Sequence, residues 1–323
     1  MSSGGARRAL LLLAVTALVA SASACDADPA TWKRSTPSGF ARQEVSFVYL
    51  PNTGTFLLAG GRSTVQESYN PLTDSWKTVA PLPAPLDHVQ SVELNGLVYY
   101  VGGLLGWPSP ASGFVYVYDP STDRFSTATP MLHGRKRGAG AIAIHNGKIY
   151  VAGGLHAGVA VPWFDVFDPA TGRWAALPDM PRSRDHFQGA VVGDRFYAIG
   201  GRRTSIDATV TANDAFDFTT GRWVTGLARL PTARGGFAVA VLGKEVLVIG
   251  GEGGGRVFDT VESYDTVHDS WRTRPSMPTA RHGVQAAVCG TDVRVVGGGK
   301  VQGAGAPTNA DEVLVSGAAP TCG

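Results

Sequence analysis

Five arginines stand at a recurring place in the chain. Arg137, Arg184, Arg234 and Arg281 each lie sixteen residues before the first glycine of a "GG" pair, and Arg42 lies eighteen before its own. One further pair has Leu86 at this slot. Two residues beyond the slot come His88 and His186, each on the same strand face as its slot residue. Guanidiniums and imidazoles converging on one point would hold a carboxylate or an acidic side chain through charge-assisted hydrogen bonds. A second reading stands beside this one: such arginines also hydrogen-bond neighbouring elements and fill the middle of a fold. For the two histidines, a satisfied structural role competes with a catalytic one. Trp107 and Trp163, each beside a proline, offer stacking surfaces for a sugar or fold back over the scaffold. Arg202, Arg203, Glu252 and Arg256 closely follow glycine pairs, where loop solvation is the default explanation.

The elements that must position these residues repeat. An apolar strand ending in "GG" recurs six times, with first glycines at Gly60, Gly102, Gly153, Gly200, Gly250 and Gly297. An aromatic pair follows each of the first five: Tyr69/Trp76, Tyr118/Phe125, Phe167/Trp174, Phe216/Trp223 and Tyr264/Trp271. The separation within every pair is seven, whereas the steps between glycine pairs vary from 42 to 51. A fixed step signals packing; a variable stretch signals loops carried by a rigid scaffold. Inside the step sit "NPLTDS", "DPSTDR", "DPATGR", "DFTTGR" and "DTVHDS", which suit tight turns with positive φ. Each unit therefore reads as four short strands, and no stretch has helical periodicity.

Double glycine, aromatic, a seven-residue step to Trp and then "LPxxR" or "MPxxR" resembles the kelch repeat. The resemblance covers essentially the whole chain after its first segment. It implies an all-β, six-bladed β-propeller of four-stranded blades around a central channel. The sixth unit has "DEVLV" (Asp311 to Val315) but no Trp arm after it, while "DPATWKRSTP" near the N-terminus reads like "DPATGRWAALP". The expectation is that the strand at 28–35 completes blade six (282–316), placing Trp32 on its outer edge and removing an open seam. In some kelch proteins the slot positions line a binding pocket, which adds to the case for Arg42, Arg137, Arg184, Arg234 and Arg281; with His88 and His186 two residues beyond the slot and Trp107 and Trp163 in the variable loops, these are the candidate ligand contacts.

The first 24 residues read as an export signal: Arg7 and Arg8, then the apolar run from Ala9 to Ala20, then small residues. Cleavage follows Ala24, or "ASAC" serves as a lipobox and Cys25 carries a lipid. The mature protein, residues 25–323 as one propeller, is expected outside the cytoplasm: periplasmic, at the cell surface or secreted. Export permits disulfides. On the inferred blade closure Cys322 lies near both Cys289 and Cys25, and either pairing is open; Cys289–Cys322 is the pair that remains if Cys25 is lipidated.

Other chemistries find no support in the residues. GxSxG, HExxH and CxxC are absent. "GGEGGG" (Gly250 to Gly255) is followed by a strand pattern, whereas a phosphate loop needs a helix there. The copper site of galactose oxidases, which share the propeller type, would need cysteine at the mouth. No metal or cofactor is expected. A formal charge of +2 without a basic stripe argues against nucleic acid. The expected role is a monomeric binding module for a peptide, glycan or envelope protein, touching membrane only through Cys25. The alternative is an enzyme similar to the periplasmic kelch mutarotase of sialic acid.

Overall fold

The computed structural model describes residue 1, residues 30–106 and 110–317, and residue 322. It is all-β: six four-stranded antiparallel sheets, with two extra two-stranded hairpins at Leu155–Ala160 and Glu252–Val257. Blade one runs Val45–Leu50, Thr55–Gly60, Gln66–Asn70 and Ser75–Val79, innermost strand first. Blades two to five repeat this order. In blade six the strands Ala286–Cys289, Asp292–Val296 and Asp311–Val315 are completed by Thr31–Ser35 from the other end of the chain. Their register runs from Thr31 opposite Val315 to Ser35 opposite Asp311.

The seven-residue step has a direct geometric meaning. Tyr69 faces Trp76, Tyr118 faces Phe125, Phe167 faces Trp174, Phe216 faces Trp223 and Tyr264 faces Trp271, each a cross-strand pair in the outer hairpin of its blade. Such opposed side chains are the unit of sheet stabilisation, and the ring centroids lie 4.9–5.5 Å apart. In blade six the pair is Leu314 and Trp32. The tryptophan ring nitrogens then reach backward: Trp32 Nε1 donates to Pro275 O, Trp76 to Thr36 O and Trp223 to Pro178 O, each tying an outer strand to the preceding blade.

The glycine pairs are inter-blade joints. The second glycine's N–H donates to the slot carbonyl of the next blade: Gly103 to Arg137, Gly154 to Arg184, Gly201 to Arg234, Gly251 to Arg281, and Gly298 back to Arg42, which closes the ring. Blade one is shifted by one residue, with Arg62 donating to Leu86 O. A Cβ on Gly102 would stand 2.2 Å from Arg137 O. Only a residue without a side chain lets the two backbones approach. Apolar clusters of buried residues fill the space between adjacent blades, where the hydrophobic stabilisation lies.

Candidate functional site

The slot arginines do not face the channel mouth, and this corrects the expected positive pocket. Arg137, Arg184, Arg234 and Arg281 are at most 2 % exposed and Arg42 is 4 % exposed. Each meets a carboxylate at the second position of its own blade's third strand. The pairs are Arg42–Glu67, Arg137–Asp165 (2.7 Å), Arg184–Asp214 (2.6 Å), Arg234–Glu262 and Arg281–Glu312 (3.1 Å). Backbone carbonyls take further N–H donors; Arg234 Nη2 reaches Val248 O at 3.0 Å. Burial pulls the Arg184 pKa down to about 10 against the opposing pull of Asp214, which leaves it charged at neutral pH and neutralised by its partner. Blade two supports the rule by breaking it: Leu86 fills the slot, and Tyr116 stands where the carboxylate would be. The slot is thus a buried ion pair within each blade, below the mouth.

Two residues further on, the chain builds a different ring. Glu44, His88, Ala139, His186, Gly236 and Gly283 all have positive φ, between 53° and 67°. Their backbones are linked around the channel: Ala139 N–H donates to His88 O, His186 to Ala139 O, Gly236 to His186 O and Gly283 to Gly236 O. Glycine adopts this conformation without strain; other residues are held there at a cost of order 1–3 kcal/mol, and such positions cluster at functional sites. Three of the six carry side chains with chemistry, and all three meet. His88 Nε2 lies 2.8 Å from His186 Nε2 and 3.2 Å from Glu44 Oε2.

A shell of charge holds these three groups. Asp87 Oδ1 is 3.3 Å from His88 Nδ1, and Asp185 Oδ1 is 2.5 Å from His186 Nδ1. Arg62 pairs with Asp87 at 2.8 Å. Arg202 reaches Asp185 (3.2 Å), Glu252 (2.7 Å) and His186 Nε2 (2.7 Å). His282 Nδ1 lies 3.4 Å from Glu252 and 3.6 Å from Glu44. Burial, with Arg202 adding to it, lowers the His186 pKa to about 4. At His88 burial also opposes the charge, but Glu44 and Asp87 outweigh it and hold the imidazole above its ordinary value. Burial likewise opposes the Glu44 carboxylate, and His88 and His282 outweigh it and hold that group below its usual range.

Above this floor lies a cavity of about 310 Å³. Gln43, Glu44, Arg62, His88, His186 and Arg202 form its polar part, and Thr204, Ile206, Gly303 and Ala304 its rim. In blade three Ala139, Leu155 and Ala160 pack together as a small buried apolar cluster. The sequence placed His88 and His186 on this face but did not show that they touch. It missed Glu44, Asp87, Asp185 and His282, although each lies one or two residues after a slot. Arg202 and Glu252, read as solvated loop residues, are buried members of the network; the neighbouring blades cover them. Arg203 and Arg256 are exposed.

The other candidates lie elsewhere. Trp163 is half-buried, with the Arg135 guanidinium 4.9 Å above its ring and His156 at 5.0 Å, so one face is already stacked. Trp107 and Cys25 fall outside the described residues. Cys289 and Cys322 are joined by a disulfide, Cα to Cα 5.8 Å. Among the described residues no helix is long and apolar enough to cross a membrane.

Comparison with known proteins accords with this architecture. A family model, the KLHDC2/KLHL20/DRC7 kelch-repeats domain, matches residues 88–298. The kelch-like protein terF of Aspergillus terreus is 31% identical over 223 residues, 65% of this chain and 49% of that protein. Kelch repeat and BTB domain-containing protein 12 of Homo sapiens is 33% identical over 99 residues, 28% of this chain and 15% of that protein. The chain thus spans half or less of these curated relatives. The solved structure of YjhT covers 87% of this chain and 97% of its own, with a TM-score of 0.74 at 17% identity, a likeness of fold.

Proposed function

The chain belongs to the kelch-repeat family, and on that premise we propose that it is a binding module that takes its ligand into the cavity over Glu44, His88 and His186. The observation that carries this reading is the contrast within one ring. Three of six equivalent positions hold strained, chemistry-bearing residues facing a cavity, while Gly236 and Gly283 hold the same conformation without side chains. A volume of about 310 Å³ suits a monosaccharide or one to two amino-acid side chains. The ligand is a peptide, a glycan or a protein of the cell envelope presenting such a group.

The cations available to it are Arg62 and Arg202, not the slot arginines. Both are already paired with carboxylates, which favours a neutral or cationic group over an acidic one. Export, which the N-terminal basic and apolar segments support, would place the propeller outside the cytoplasm, tethered if Cys25 is lipidated. An array of glycans and peptides probed with the purified protein tests this reading. Saturable binding weakened by Arg62→Ala, a half-exposed residue on the cavity wall, supports it; an array without binders, or a binder indifferent to Arg62, removes it.

One observation favours a second reading, an enzyme on a small sugar. Glu44 beside His88 and Glu252 beside His282 are carboxylate–imidazole pairs suited to proton transfer. Anomer exchange of sialic acid and of neutral sugars, followed by NMR, separates the two: acceleration abolished in His88→Asn supports the enzyme, and rates equal to buffer exclude it for those sugars.

A further inference from the structure

We infer that Glu44, His88 and His186 form a binding site for one divalent transition-metal ion, with open coordination positions toward the mouth cavity. The donor atoms of the three side chains all lie within 4.8 Å of one another. Two imidazoles and one carboxylate on one side of a point are a donor set that zinc and ferrous iron take, with positions left for water or substrate.

The outer groups orient the donors. Nδ1 of each histidine faces the aspartate that precedes it in the chain, at 3.3 Å from Asp87 and 2.5 Å from Asp185. An ionised carboxylate only accepts, so each Nδ1 carries a hydrogen, and each Nε2 supplies a lone pair to an ion once any hydrogen it holds toward Glu44 or the other ring has left. Both Nε2 atoms face the same small volume, 2.8 Å apart, a separation that needs a hydrogen or a metal ion between them. Histidines held by carboxylates at the far nitrogen are the usual outer shell of a metal site.

The charge count agrees. Glu44, Asp87, Asp185 and Glu252 bring four negative charges to the cluster, and Arg62 and Arg202 bring two positive ones. A proton on one histidine balances one of the remaining two; a divalent ion balances both. Arg202 is the competing cation. Its Nη2 stands 2.7 Å from His186 Nε2, while its Nη1 holds Glu252 at 2.7 Å. Ion binding moves Nη2 off His186 and leaves the Glu252 contact in place.

The backbone supplies an independent observation. His88, His186 and Glu44 keep left-handed conformations at φ 53°, 53° and 56°, where blades five and six use glycine. Three strained positions, from three separate blades, converge on one point. Packing does not require it, since Ala139 fills the fourth position without a polar group. The site stands whether the cavity above receives a peptide or a sugar, because the ion is held by protein donors alone.

The test uses the purified protein stripped with a chelator, dialysed and titrated with Zn²⁺ and, for its visible spectrum, Co²⁺. The expected result is one ion per chain, a raised melting temperature with Zn²⁺, and Co²⁺ bands that report nitrogen donors. Glu44→Gly, His88→Gly and His186→Gly reproduce the residue that blades five and six carry, so the ring keeps its backbone. Each lowers affinity at least about tenfold, and His88→Asn, a side chain that tolerates positive φ, does the same. His268→Ala removes an exposed histidine on a distant turn and leaves binding unchanged. The absence of a saturable equivalent overturns the site, as does binding undiminished in the His88→Gly/His186→Gly double variant. If a glycine variant fails to fold, the Co²⁺ spectrum of the unaltered protein still decides: bands without nitrogen donors overturn the assignment.

Discussion

His88 and His186 are 98 residues apart in the chain and 2.8 Å apart at their Nε2 atoms. Blades two and four are not neighbours, so no local element could bring these rings together. The ring closure does it, by aiming the position two after each slot at the channel axis in a left-handed conformation. The central triad of the mouth, Glu44, His88 and His186, follows from that one repeated offset, whereas the slot itself serves stability.

The slot pairs predict a stability phenotype. Arg234 and Glu262 are both buried, and removing one partner leaves an uncompensated charge, which costs about 3–5 kcal/mol. Arg234→Leu alone is expected to lose this amount in denaturant unfolding. Adding Glu262→Tyr recreates the Leu86 and Tyr116 arrangement of blade two and recovers much of the loss. Additive losses in the double variant would show that the pair is not a unit.

A second coupling runs along the outer edge. Tyr69, Tyr118 and Tyr264 donate to Asp74, Asp123 and Asp269 at 2.7 Å, and the same aspartates accept a backbone N–H from the preceding blade. Blades three and four carry Phe with Gly at these two positions, Phe167/Gly172 and Phe216/Gly221. Asp123→Gly is expected to cost about 1–2 kcal/mol, and much less when Tyr118→Phe is already present. A double-mutant cycle with no coupling energy contradicts this.

Two of these aspartates, Asp74 and Asp123, set an acid limb. The Ala80 N–H first, then the Tyr118 hydroxyl, hold Asp123 below the usual carboxylate range, and the Thr36 N–H and Tyr69 do so for Asp74. A folded pKa below the unfolded value means stability that is fully present above about pH 4 and lost as pH falls through the folded pKa. The paired replacements Asp74→Gly and Asp123→Gly should flatten the fall of melting temperature below pH 4. An unchanged acid limb would assign it to other carboxylates.

Glycine at the joints is a steric requirement. Gly102→Ala places its Cβ 2.2 Å from Arg137 O, against backbone, and is expected to lose more than about 3 kcal/mol. Gly147→Ala, with a similar φ of 71° but open space around it, should lose only about 1 kcal/mol. Thermal unfolding of the two variants compares clash with conformational strain alone; equal losses would show that strain, not contact, rules the joint.

Much of the fold was legible because it repeats. The seven-residue step is a cross-strand pair, and such a spacing survives any variation in loop length. The missing Trp arm of blade six pointed to Trp32, which lies opposite Leu314. The depth of the slot was not legible. Spacing gives direction around the ring but not distance along the channel, and the partner of Arg184 lies thirty residues later at Asp214. The mouth cluster was harder still. Glu44, His88 and His186 come from three blades and form no motif, and Arg202 sits beside glycines in a segment that reads as an ordinary loop. Only the closed ring gives them neighbours.

The most direct test of the binding site fills the cavity without touching the network. Ala304 is exposed on the rim, so Ala304→Trp should occupy the space and leave the blades intact. Calorimetric titration of an array-positive glycan or peptide is expected to show saturable binding to the unaltered protein, weakened at least about tenfold in the variant at the same melting temperature. Equal affinity in the two proteins would place the ligand elsewhere on the propeller and contradict the assignment of the mouth.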